Sequence, residues 1–137
     1  MKLVYSYFDE TTGESIVKLA DRYGSYVGKA FLHPDDSNYK SKYMGCGLAE
    51  RRAAIKGLKN RRRRIKIKLN TIQNIITDIR TNIQEPDENI LKRLYFEKKK
   101  YSLELIEIDN NIEMINKEIK ERIRVRNSII NKIIKGS

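Results

Sequence analysis

Two apolar seams with a seven-residue repeat, parted by one proline-centred break, constrain this chain most. Leu48, Ile55, Arg62, Leu69, Ile76 and Ile83 recur every seven residues, and Arg51, Leu58, Ile65, Ile72 and Ile79 repeat three residues further on. Alternating steps of three and four keep one face of an α-helix against a partner, the pattern of a coiled coil. The run ends at Gln84-Glu85-Pro86-Asp87. Proline lacks an amide hydrogen and clashes inside a helix, so the first helix stops there. Pro86 suits the first turn of a new helix, with Asp87 and Glu88 near its positive end. A second seam follows: Leu91, Lys98, Leu105, Ile112, Ile119, Arg126 and Ile133, with Leu94, Tyr101, Ile108, Ile115, Arg122 and Ile129 as its companion. So short a break folds the two helices, each roughly 60 Å long, into an antiparallel hairpin.

The first part of the chain has a period of two instead. Lys2 to Phe8, Ile16 to Ala20 and Tyr26 to Leu32 read as strands, joined by Asp9-Glu10-Thr11-Thr12-Gly13-Glu14 and Asp21-Arg22-Tyr23-Gly24-Ser25 as turns. The expected fold is α+β. A small three-stranded antiparallel sheet with its connecting loop occupies 1–43, and a long coiled-coil-like helical hairpin occupies 44–137. A sheet this small needs a cover for its apolar face and cannot itself cover the hairpin. Much of both seams would then face water in a monomer, which predicts a homodimer, in a four-helix arrangement.

Charge is concentrated in one place. Arg51, Arg52, Lys56, Lys59, Arg61, Arg62, Arg63, Arg64, Lys66 and Lys68 lie in a stretch with no acidic residue, whereas the chain as a whole carries +11. The remainder therefore sums to about +1, and local charge points to a polyanionic partner more than to solubility. On a helix, Arg52, Lys59 and Lys66 share one flank of the seam and Arg61 and Lys68 the other. Lys56, Arg63 and Arg64 face outward, and Arg51 and Arg62 occupy seam positions. Two readings follow. In a hairpin folded at Pro86, residue 62 lies near residue 109, so Glu104, Glu107, Asp109, Glu113, Glu118 and Glu121 can neutralise part of the charge, at about 0–1 kcal/mol per exposed pair. The outward cations lie beyond their reach and suit phosphates, whose binding releases counterions.

Other candidate sites are thinner. Tyr5, Tyr7 and Tyr26, with Lys18 and Lys29, are candidates for an exposed aromatic and basic sheet face that stacks bases. The alternative is that the tyrosines cover the helix with their hydroxyls at the rim. His33-Pro34-Asp35-Asp36 brings an imidazole near two carboxylates, but one histidine and two adjacent aspartates make a poor metal site or catalytic set. No catalytic residue, cofactor or metal is expected. Gly45-Cys46-Gly47 is too short for a phosphate-cradling loop and lacks the following lysine. Cys46, the lone cysteine, fits a buried thiol at the junction of sheet and helix and a reducing, cytosolic setting. Tyr39, Tyr43 and Met44 belong to a polar connection. The first residues are too polar for a signal peptide, and no apolar run reaches membrane-spanning length.

Gly28-Lys29-Ala30, His33-Pro34-Asp35-Asp36 and Gly47-Leu48-Ala49-Glu50-Arg51-Arg52-Ala53 together resemble small uncharacterised phage and prophage proteins of Gram-positive bacteria. The resemblance spans about 30 residues and carries no functional residue across. It implies a bacterial host cytoplasm and a counter-defence role, such as an anti-CRISPR protein or a sponge for a nucleotide signal. The expectation is a non-enzymatic, dimeric protein that binds nucleic acid, a nucleotide or a nucleoprotein complex through residues 51 to 68. The alternatives are a DNA-binding regulator that reads sequence with its sheet and a structural coiled-coil interaction protein.

Overall fold

The computed structural model describes residues 1–31 and 42–136, with side chains throughout those ranges except at 42–44, 129–130 and 133–136. Strands β1 (Lys2–Phe8), β2 (Glu14–Asp21) and β3 (Gly24–Phe31) precede two helices, α1 (Lys42–Asn82) and α2 (Glu88–Gly136). The α+β architecture is as the periodicities require. His33, Pro34, Asp35, Asp36 and Tyr39 lie outside the described residues, as do the side chains of Tyr43 and Met44.

Both hairpin turns are tighter than the sequence suggested, because aspartates close them. Asp9 Oδ1 accepts the Thr11 and Thr12 amides at 2.8 and 3.3 Å. The Asp9 amide donates to Glu14 O at 2.8 Å and the Gly13 amide to Asp9 O at 2.7 Å, with Gly13 at φ +76°. That arrangement frees Glu14 and Ser15 to pair. In the second turn Asp21 Oδ1 accepts the Tyr23 amide at 2.8 Å. Only Arg22 and Tyr23 remain outside the strands, and β3 begins at Gly24.

Packing divides the chain into two compact units, Met1–Leu58 with Ile112–Ser137, and Lys59–Asn111. In the first, the sheet runs in the order β1-β2-β3, all antiparallel. Ser6 opposite Val17 and Val17 opposite Gly28 set one face, which α1 covers. Val17, Leu19, Ala30, Leu48, Ala49 and Ala53 are buried together there, with Tyr26, Cys46, Ala54, Ile119 and Ile123 packed around them. Small residues bring sheet and helix close. A Cβ on Gly28 would stand 2.5 Å from Ala53 N and 2.9 Å from Ala49 C. Cys46 is a half-buried free thiol at this junction, 3.2 Å from Ser6 Oγ.

The second unit is an antiparallel pair of helix segments around Ile72, Ile76 and Leu91, with Ile79, Leu94 and Tyr101 against them. Burial of each large aliphatic contributes about 1.5–3 kcal/mol. Asp87 caps α2: its Oδ1 accepts the Asn89 amide at 2.9 Å, and its carbonyl accepts the Leu91 amide at 3.2 Å. Pro86 therefore stands just before the cap and not in the first turn, because a carboxylate that satisfies a free amide is the better cap.

Every described seam position is buried or half-buried except Ile83, which lies past the end of α1 and is 48% exposed. The premise that the seams face water in a single chain is thereby corrected. Among the described residues, other exposed apolar side chains of the helices lie off the seams, at Ile67, Ile75, Ile90, Phe96, Leu103, Ile106, Met114 and Val125.

Candidate nucleic-acid interface

The ten cations of residues 51 to 68 separate into groups once their partners are known. In the first unit, Arg51 Nε pairs with Glu118 Oε2 at 2.9 Å, and its Nη1 donates to Gly47 O at 3.2 Å. Arg52 Nη1 donates to Lys29 O at 2.7 Å and Lys56 Nζ to Val27 O at 2.6 Å. Arg52 and Lys56 are four apart, hence on one helix face. Val27 and Lys29 are two apart on edge strand β3, so their carbonyls point the same way. These two cations thus tie α1 to the sheet.

In the second unit, Arg62 Nε lies 2.9 Å from Asp109 Oδ1 and Arg61 Nη2 3.1 Å from Glu104 Oε1. Lys68 Nζ sits 5.3 Å from the centre of the Tyr101 ring. Arg64 is half-buried, not fully outward. Lys59, Arg63 and Lys66 are exposed, and Arg63 Nη2 reaches Asn60 Oδ1 at 3.3 Å. The spacing i, i+4, i+7 puts these three on one strip of the helix. The ion pairs at Arg51, Arg61 and Arg62 are partly exposed, so each contributes about 0–1 kcal/mol. Two other acids of the facing helix are engaged on their own helix, Glu113 with Lys117 and Glu121 with Arg124. The Arg124 hydrogen bond holds the Glu121 carboxyl below its ordinary range.

The sheet face turned away from α1 carries its own pattern. The register sets Tyr5 beside Lys18 and Val27 in one row, and Tyr7 beside Ile16 and Lys29 in the next. Tyr5 and Tyr7 are 43% and 55% exposed, so these two do not cover the helix. Tyr26 does not belong with them. It lies opposite Leu19 on the helix-covered face, and its hydroxyl donates to Asp21 at 3.2 Å. Residues 26 and 29 are three apart and cannot share a strand face. Phe31, 61% exposed, joins Lys29 on the open face instead, a placement already contained in the alternation of β3.

Among the described residues, no group of three or more His, Cys, Asp or Glu is placed to hold a metal ion, and no helix is long and apolar enough to cross a membrane. No protein-family model, curated protein or solved structure matches this chain.

Proposed function

We propose that this chain is a non-enzymatic protein that binds a polyanion, nucleic acid or a nucleoprotein complex, along the basic face of α1. One observation supports the reading above others. With Arg61 and Arg62 held by carboxylates, Lys59, Arg63 and Lys66 stand side by side and exposed. Their seven-residue span is about 10.5 Å, close to three base steps of about 3.4 Å. In the phage setting implied by the resemblance, the concrete form is a counter-defence protein that inhibits a host nucleoprotein complex such as CRISPR-Cas.

The test is a titration of the full chain against duplex DNA, single-stranded DNA and structured RNA at low and fourfold higher salt. Three neutralised phosphates give a slope near −2.7 on duplex, or about 40-fold weaker binding across that range. The variant Lys59→Gln/Arg63→Gln/Lys66→Gln is expected to lose that slope. No binding at the lower salt, or a slope the variant retains, refutes the reading. A second reading, an interaction protein whose charge serves its own fold, draws on the Arg51–Glu118, Arg61–Glu104 and Arg62–Asp109 pairs. It predicts that the variant behaves as the wild type.

A further inference from the structure

We infer that the open face of the sheet is a stacking platform for single-stranded nucleic acid, a surface separate from the basic face of α1 and testable without it. Three rings and three lysines carry the inference. Tyr5, Tyr7 and Phe31 are the exposed aromatics of this face. Lys2 opposite Ala20, Lys18 opposite Tyr5, and Lys29 in the row of Tyr7 share it, and the strand register puts one carboxylate there, Glu14 opposite Phe31.

The chemistry fits a strand with unpaired bases. Tyr5 and Tyr7 are two residues apart on β1, about 6.8 Å along the strand. That is twice the roughly 3.4 Å rise of stacked bases, so each ring can take a base of its own. Lys18 is the direct cross-strand neighbour of Tyr5, about 5 Å away between Cβ atoms, so a base on that ring brings its phosphate within reach of an ammonium group. Phe31 and Lys29 repeat the pairing of ring and cation on β3. Bases of a duplex are stacked on each other and offer no free face, so the platform selects single strands. A protein partner would meet the same rings, but the cationic surround complements a polyanion better than an average protein surface.

The experiment measures fluorescence anisotropy of the full chain with a short labelled single strand, and with a strand of equal length whose nucleotides lack bases. Tyr5→Ala/Tyr7→Ala is expected to weaken the base-bearing strand by roughly 5- to 150-fold per ring lost and to leave the abasic strand unchanged. Tyr5→Phe/Tyr7→Phe keeps the affinity, because a ring without its hydroxyl still stacks. Should the alanine variant fail to fold, Lys18→Gln provides the test, with an expected loss of about 0.7 in the salt slope on single strands. Equal wild-type affinity for both strands overturns the proposal, as does an equal loss for both in the alanine variant. A dimer abolished by the alanine changes, with strand binding untouched, also overturns it and assigns the face to a second copy. Neutralising Lys59, Arg63 and Lys66 weakens both strands alike, so failure of the helix reading gives a different result from failure of this one.

Discussion

Adding a methyl group at Gly28 and at Gly57 should shift stability in opposite directions. At Gly28 the new Cβ would lie 2.5 Å from Ala53 N and 2.9 Å from Ala49 C, closer than the 3.5–4.0 Å of an ordinary carbon contact. Both atoms are backbone of α1, as is the still nearer Ala49 carbonyl oxygen, so relief requires the helix to move by well over an ångström, and it is held there by the buried set of Val17, Leu19, Leu48, Ala49 and Ala53. Overpacking costs about 1–3 kcal/mol, and rigid backbone on the other side argues for the upper half. Replacing glycine stiffens the unfolded chain and returns about 0.4–1 kcal/mol, so Gly28→Ala should lose about 2 kcal/mol. At Gly57 the Cβ meets Met1 Cε at 2.5 Å and Sδ at 2.8 Å, the free end of a flexible side chain, and Tyr26 Cδ2 at 3.1 Å. Alanine in a helix interior is favoured over glycine by about 0.8–1 kcal/mol, so Gly57→Ala should gain a few tenths or more after Met1 moves aside.

Far-UV circular dichroism suits neither variant well, because α1 and α2 dominate the signal. Native-state amide exchange at Val17 and Leu19 reads the sheet–helix core directly. Gly28→Ala should accelerate exchange there about 30-fold, whereas Gly57→Ala should leave it unchanged or slower. Equal protection in Gly28→Ala and the wild type would falsify the close approach of β3 to α1.

Two smaller predictions follow from the caps and turns. Asp87→Ala removes the acceptor of the Asn89 amide and should cost about 1 kcal/mol, seen as faster exchange at Leu91; no change there rules out Asp87 as the cap. The Thr11 amide, and next the Thr12 amide, hold the Asp9 carboxyl below its ordinary 3.8. A depressed folded value means that its support for the β1–β2 turn is full above about pH 4 and disappears as pH falls through that lower value. NMR titration of Asp9 should give a midpoint under 3.8, which Thr11→Pro, lacking the donor, brings back up.

The helices were legible because a repeat of seven has few other uses, and even the pairing of Arg62 with Asp109 follows from counting outward from Pro86. The turns were less so. Side-chain acceptors at Asp9 and Asp21 shorten both turns, and turn length sets which residues of neighbouring strands share a face. The faces of Tyr5 and Tyr7 relative to α1 depend on that register, whereas the separation of Tyr26 from Lys29 needed only the alternation along β3. The uses of Arg52 and Lys56 had no signature, since a main-chain carbonyl accepts from an arginine or a lysine whatever residue carries that carbonyl. A charge count therefore treats as free two cations that are engaged with the sheet.

Those two bonds have a consequence for self-association. An edge strand invites another strand through its unpaired main-chain groups. On β3 the Val27 and Lys29 acceptors are already taken by α1, whereas β1 is exposed along most of its length, with Leu3 and Val4 bare and Lys2 its one charge. A sheet blocked at one rim can extend only from the other. Were two copies to join rim to rim, each would use the one open rim it has, so growth would end at a symmetric pair and would not continue into a fibre.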